Sequence, residues 1–349
     1  MIAAQRRLQI GEHAEASEPP EERGLARDEV RMLVARRRGE PRLQHARFLD
    51  LPSQLAPGDL LVVNTSATLP AALPARRAGE SLDLHLSTPL PDADPDATPL
   101  RYVVELRRDG GPLRDAAAGE RLALPRGASA ELVSPYLGAR RLWVAELRLP
   151  GDLTAYLGEH GRPISYAYLR SERPLADYQT VFAAEPGSAE MPSAGRPFTP
   201  RVLAALIARG VAIAPVTLHT GVSSLERGER PYPEWFRVPA ATARLANVTR
   251  GFGGRVIAVG TTVVRALESA AREDGALDSR EGWTSLTVTP ESPVRALDGL
   301  VTGWHDPDAS HLDMLEAIAG QRLIVDLYGS AARHGYLWHE FGDVSLIIR

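Results

Sequence analysis

The residues of this chain best suited to chemistry stand where apolar runs end. Val216-Thr217-Leu218-His219-Thr220-Gly221 puts an imidazole at the end of a strand-like segment, and Asp298-Gly299-Leu300-Val301-Thr302-Gly303-Trp304-His305 puts a second one in a similar place. A histidine there either works as an acid or base near neutral pH or is a core residue satisfied by a backbone carbonyl. Glu185, in Glu185-Pro186-Gly187-Ser188, either caps a turn or touches substrate. Glu234-Trp235-Phe236 adds another carboxylate. The run from Gly253 to Ser269 reads as a Gly turn, a buried strand Arg255 to Val259, and a helix with Val264, Leu267 and Ala271 on one face. Gly260 ends the strand, and Thr261 or Thr262 N-caps the helix. Free N–H groups and the positive helix end then offer a seat for a carboxylate or phosphate. The Gly-x-Gly-x-x-Gly spacing of a dinucleotide site is missing. Arg265, one turn into that helix, either pairs with Glu268 or Asp298 or clamps a ligand.

The segment from His305 to Asp313 holds two His and three Asp. Such donors can hold a divalent ion. The other reading has Asp308 or Ser310 capping the following helix, and no metal is expected.

Three textures must position these groups. Residues up to about Ala26 are polar, rich in Glu and Pro, and read as an extended arm. Val30 to Val34 and Leu60 to Val63 are buried-strand candidates. From about Ala75 to Pro150, period-two segments such as Leu82 to Leu86, Tyr102 to Leu106 and Leu142 to Leu147 predict a small antiparallel barrel or sandwich, with Pro91 to Pro99 a loop inside it. After Gly151, helices are expected at Thr199 to Arg209, Ala240 to Thr249, Thr262 to Glu273 and Ser310 to Ala319. Strands are expected at Val211 to Leu218, Arg255 to Val259, Ser285 to Val288 and Val344 to Ile348. Alternating strands and helices define an α/β class: a layered, Rossmann-like α/β domain of residues 1–74 and 151–349, with a small antiparallel β-barrel domain inserted at 75–150. Ligands in open α/β sheets gather at strand C-termini, where His219, Gly260 and His305 all fall.

The chain of 349 residues carries a net charge of −4, which advertises neither nucleic acid nor an anionic membrane. All 40 cations are Arg, clustered at Arg36-Arg37-Arg38, Arg76-Arg77, Arg107-Arg108 and Arg140-Arg141. These are either solvated faces or local phosphate contacts. The absence of cysteine removes thiol nucleophiles, disulfides and thiolate metal sites. No secretory core follows Arg6 and Arg7, and the apolar region Leu203 to Leu218 is broken by Arg209 and Gly210. A cytoplasmic protein off the membrane, preferentially monomeric, is the expectation.

In order, Tyr178-Gln179-Thr180-Val181, Glu185-Pro186-Gly187-Ser188, Pro192-Ser193-Ala194-Gly195, Val216-Thr217-Leu218-His219, Gly254-Arg255-Val256-Ile257-Ala258-Val259-Gly260-Thr261-Thr262, Asp298-Gly299-Leu300 and Gly342-Asp343 resemble the S-adenosylmethionine:tRNA ribosyltransferase-isomerase family of queuosine biosynthesis. The likeness runs from about Pro20 to Ile348 and is strongest after Tyr178. It implies an α/β domain with an inserted β-barrel. It also implies a reaction in which the ribosyl group of S-adenosylmethionine, not its methyl, passes to the aminomethyl group of a deazaguanine in tRNA, with adenine and methionine released. The sulfonium acidifies the adjacent 5′ carbon, so a base is needed, together with a polar adenine pocket and a carboxylate seat.

Residue by residue, the resemblance implies an S-adenosylmethionine site of Tyr178, Gln179, Thr180, Gly260, Thr261, Thr262 and Arg265. His219, Glu185 and His305 become the catalytic candidates, His219 as base or as a contact to the ribose. Asn64, Arg196, Glu234, Trp235 and Asp306 become the acceptor-side candidates. Several positions depart from the family pattern. Arg196-Pro197 stands where the family has Leu-His, Asn64-Thr65-Ser66-Ala67 where it has Asn-Asp-Thr-Arg, and Tyr232 where it has His. Thr302-Gly303-Trp304-His305-Asp306-Pro307 stands for Thr-Asn-Phe-His-Leu-Pro. These changes leave two other readings: related sulfonium chemistry on a small molecule, with Arg196 and Asp306 shaping the acceptor pocket, and a non-catalytic binder of S-adenosylmethionine or RNA.

Overall fold

A computed structural model describes residues 14–94, 97–222, 231–306 and 311–349. Its spine is a nine-stranded mixed sheet. Four parallel strands, Ala212–Leu218, Leu60–Asn64, Val256–Val259 and Gly299–Thr302, lie side by side at its centre. Val344–Ile348 runs antiparallel to the last of these, followed by Arg31–Arg36 and Leu43–Arg47. At the other edge stand Glu234–Val238 and Arg280–Thr284. The apolar runs at Leu60–Asn64, Val256–Val259 and Val344–Ile348 are buried throughout, because both faces of the sheet are covered. Alternation sorts their side chains. Leu60, Val62, Val256, Ala258 and Leu300 face helices Ala240–Gly251, Thr261–Ala270, His311–Ala319 and Gln321–Arg333. Leu61, Val63, Ile257, Val259 and Val301 pack on the other side with Phe48, Phe198, Val202 and Leu206, the last two from helix Pro200–Ala208.

The second unit is a closed six-stranded antiparallel barrel. Ala72–Arg77, Glu80–Pro89, Leu100–Arg108, Leu142–Arg148, Ser129–Pro135 and Arg121–Ala123 pair in a ring, closed where Leu142–Arg148 meets Leu100–Arg108. Leu73, Leu84, Val104, Leu106, Leu132 and Leu147 fill it. The α/β class with a β-barrel is therefore the observed architecture. We keep the division at residues 74/75 and 150/151 as a proposal, with barrel strands running from Ala72 to Arg148.

Several expected elements are corrected. The strand expected at Ser285 to Val288 lies instead at Arg280–Thr284. Its Arg-Glu-Gly-Trp-Thr sequence has no apolar alternation, and its place comes from pairing with Glu234–Val238. Helix Thr261–Ala270 starts with Gly260 at the N-cap and no side-chain cap, so neither threonine caps it. Helix Gln321–Arg333, absent from the expectations, covers the sheet with Leu323, Ile324, Leu327 and Tyr328. The N-terminal arm is partly anchored: Ala14–Glu15 pairs with Leu337–Trp338, and Ala16 is buried. Its first thirteen residues, residues 95–96 of the expected Pro91 to Pro99 loop, and residues 307–310 lie outside the described residues. No helix among the described residues is long and apolar enough to cross a membrane.

Candidate active site

The C-terminal ends of the central parallel strands open into a cleft of about 620 Å³ between the sheet and the barrel. That volume lies within the usual range for small-molecule sites. Its floor is the turn after Val256–Val259. Gly260 adopts φ 95°, a left-handed conformation that favours glycine, and its N–H donates to the Val301 carbonyl at 2.8 Å. The Val263 and Val264 N–H groups donate to the Gly260 carbonyl at 3.1 and 3.3 Å, while those of Thr261 and Thr262 stand at the helix start, where no preceding turn supplies an acceptor. Thr261 and Thr262 line the cleft beside them.

Asn64 binds the strand ends together. Its Nδ2 donates to the Leu218 carbonyl at 2.9 Å and to Thr262 Oγ1 at 3.3 Å, while its Oδ1 accepts from the Leu218 and Ser66 N–H groups. Asn64 is thus a positioning residue, not one of the groups lining the cleft. Arg265 lines the cleft, and its partner is Glu234, not Glu268 or Asp298. Its guanidinium also donates to the carbonyls of Leu286, Tyr232 and Thr284, while Glu234 accepts from the Gly221 N–H at 2.9 Å. This largely shielded pair pins the helix to the loop after Ala212–Leu218. Glu268 instead accepts from the N–H groups of Arg295 and Ala296.

His305 and Asp306 line the cleft after strand Gly299–Thr302. The His305 ring accepts or donates at Thr302 Oγ1, 2.9 Å away, and stacks on His311 with centroids 4.4 Å apart. Burial holds the His305 imidazole well below the ordinary histidine range, and burial pushes His311 down to about 4. Both rings are therefore neutral at neutral pH. Among the described residues, no group of three or more His, Cys, Asp or Glu forms a metal-ligand set.

The remaining candidates lie elsewhere. His219 and Glu185 belong to a neighbouring cluster at the C-terminal end of strand Ala212–Leu218 and are not among the cleft-lining residues. His219 Nδ1 is 2.7 Å from Ser66 Oγ, which is 2.6 Å from Ser188 Oγ, and the ring stacks on Trp235 at 5.2 Å. Burial lowers the His219 pKa against the opposing pull of Glu185. Glu185 pairs with Arg237 and accepts from Thr217 Oγ1. A Cβ on Gly187 would lie 2.4 Å from the His219 ring, so glycine there gives the imidazole its room.

Tyr178, Gln179, Thr180 and Arg196 are drawn into framework contacts rather than into the cleft. Tyr178 is buried against Phe341. Gln179 makes a two-way amide pair with the Thr68 backbone, and Thr180 Oγ1 accepts from the Phe182 N–H. Arg196 is 3% exposed, bound to Glu21 and the Asp177 carbonyl, with its guanidinium 4.7 Å over the Phe341 ring. Its expected acceptor role does not match that placement, because the charge is consumed by Glu21. Pro197 is buried and likewise off the cleft.

Five further residues line the cleft to which the sequence reading gave no role: Tyr166, Tyr168, Glu190, His339 and Glu340. They come from three distant segments, so no local motif marks them. The one available signal was the unusual density of His and acid near the C-terminus.

A cleft at the parallel-strand ends, with a glycine-led helix start, neutral imidazoles and a barrel closing one side, defines an α/β enzyme class with an appended β-barrel. The chain matches the family of queuosine biosynthesis proteins over residues 6–347 and belongs to it. It is 38% identical over 341 residues to an S-adenosylmethionine:tRNA ribosyltransferase-isomerase of Acidiphilium cryptum, covering 90% of this chain and 94% of that protein. A protein of the same name from Thermus thermophilus is 36% identical over 337 residues, covering 92% and 93%. Among solved structures, S-adenosylmethionine tRNA ribosyltransferase from Thermotoga maritima superposes with a TM-score of 0.53 and 28% identity, covering 98% of this chain and all of that one.

Proposed function

We propose that this protein is an S-adenosylmethionine:tRNA ribosyltransferase-isomerase of queuosine biosynthesis. It transfers and isomerises the ribosyl group of S-adenosylmethionine onto a deazaguanine base in tRNA and releases adenine and methionine. The observation that carries this reading is full-length membership of the family joined to a cleft of suitable size at the strand ends. In our reading the methionine carboxylate meets the first-turn N–H groups at Thr261 and Thr262, where the helix dipole favours an anion. His305 is the base we favour. It lines the cleft, is neutral, and has Thr302 and His311 to fix its ring. It takes the proton from the 5′ carbon that the sulfonium acidifies. His219 acts from beside the cleft by bonding Ser66, which in turn bonds Ser188, and Glu185 by bonding Arg237 and Thr217.

Small-molecule sulfonium chemistry and non-catalytic binding are not favoured, since relatives matched over more than nine-tenths of their length carry the ribosyltransferase-isomerase name. The test is adenine release from S-adenosylmethionine with and without tRNA bearing the aminomethyl-deazaguanine. Release that requires this tRNA supports the proposal. Release without tRNA, or none with it, contradicts it.

A further inference from the structure

Beside the strand ends, one wall of the cleft pairs two carboxylic groups with two phenols. Tyr168 Oη donates to Glu340 at 3.0 Å, and Tyr166 Oη donates to Glu190, which is 8% exposed. The rings form a ladder: Tyr166 on Tyr168 at 6.0 Å and 15°, then Tyr168 on His339 at 4.9 Å and 16°. All five residues line the cleft. The arrangement is built rather than incidental. His339 sits at φ 69°, in the left-handed region that a non-glycine residue rarely occupies. The turn that holds it there requires Gly342, where a Cβ would meet the Leu337 carbonyl at 2.4 Å. Asp343 clamps the same turn by accepting from the N–H groups of Leu337 and Arg31, each at 2.8 Å. On the facing side, Thr220 holds the Glu190 segment through the Glu190 carbonyl at 2.8 Å.

Two acids sharing a half-buried wall repel one another, and burial with the Glu190 charge pushes the Glu340 carboxyl up to about 8. Aromatic faces beside carboxylates attract one kind of ligand: a cation, held by ring quadrupole and counter-charge together. We infer that this wall is a cation subsite that seats the protonated primary amine of the acceptor at the His339 end of the ladder, the Tyr166 end being covered by the Arg107 guanidinium at 5.6 Å, with Glu340 and Glu190 as counter-charges. The inference rests on the reading that the acceptor carries an aminomethyl group on a planar base.

Calorimetry with two free bases tests it, one the aminomethyl-deazaguanine and the other its neutral cyano counterpart. Wild-type protein is expected to prefer the amine by on the order of tenfold. At pH 7, binding should release a proton as Glu340 ionises, which shows as a buffer-dependent heat. Glu340→Gln and Glu190→Gln, each checked for an unchanged melting profile at pH 6, should bring the two affinities together and leave S-adenosylmethionine affinity intact. No measurable amine binding, equal affinities in wild type, a preference that survives both substitutions, or a loss confined to S-adenosylmethionine would each overturn the inference. Adenine release is a separate readout. An amine preference without adenine release keeps the subsite and sinks the proposed reaction, and the converse result does the reverse.

Discussion

At the scale of single residues, the cleft depends on groups held in uncommon protonation states. Glu340 is the clearest case. A carboxyl whose folded pKa stands near 8, above the ordinary 4.5, adds stability that is fully present below the ordinary value and is lost as pH rises through 8. Glu340→Gln removes that loss, so its melting temperature relative to wild type should rise between pH 6 and pH 9. A constant difference across that window would show that burial and the Glu190 charge do not hold the Glu340 carboxyl up as described. His305 gives a second residue-scale prediction. His305→Gln keeps a polar side chain near Thr302 but removes the base. It should lower kcat by on the order of 100-fold with little change in the KM for S-adenosylmethionine. Single-turnover adenine release measures this, and an unchanged kcat would move the base elsewhere. His219 and His305 were both visible in the sequence as strand-end imidazoles. Nothing there told them apart, because what separates them is Trp235 and Ser66 on one side and an open cleft on the other.

At the scale of elements, glycines and buried clips set the geometry. Gly342→Ala forces a methyl into the Leu337 and Trp338 backbone and should cost about 1–3 kcal/mol. It should also weaken amine binding, since the turn carrying His339 and Glu340 has to shift. Denaturant titration and the calorimetry above read the two effects, and a neutral substitution would mean that the turn is not tightly held. The central strands were legible because their runs are apolar on both faces, as at Leu60 to Val63 and Val344 to Ile348. Arg280–Thr284 was not, since an edge strand of polar residues takes its register from its neighbour. Helix Gln321–Arg333 did carry a readable signal in the spacing of Leu323, Ile324, Leu327, Tyr328 and Ala331, which fall on one face. The start of helix Thr261–Ala270 misled for a physical reason: Thr262 Oγ1 is engaged with Asn64, and glycine takes the cap.

For the whole molecule, the fold separates arginines that composition could not. Arg77, Arg107, Arg108 and Arg141 are spent on Asp115, Glu105 and Glu80. Arg37, Arg38 and Arg140 are exposed. The strand leading into Arg37 pairs with Ile348, which itself faces Gly299 at the start of a cleft-forming strand, so Arg37 and Arg38 lie at the far end of the sheet. Arg140 belongs to the barrel hairpin whose Tyr136 packs on cleft-lining Tyr232 at 5.6 Å. Arg140→Ala should therefore weaken tRNA binding and reduce its logarithmic salt slope by about 1, while Arg37→Ala with Arg38→Ala leaves both nearly unchanged. Filter binding at several salt concentrations separates these outcomes, and the reverse pattern would place the tRNA on the opposite end of the sheet. The central claim, that the ribosyl group of S-adenosylmethionine is what this cleft transfers, has a direct test. Substrate labelled in the ribose or in the methyl group is incubated with tRNA bearing the aminomethyl-deazaguanine. Ribose label in the tRNA, with methyl label leaving in methionine, is the predicted result. Methyl label in the tRNA, or no label in it at all, would contradict the account.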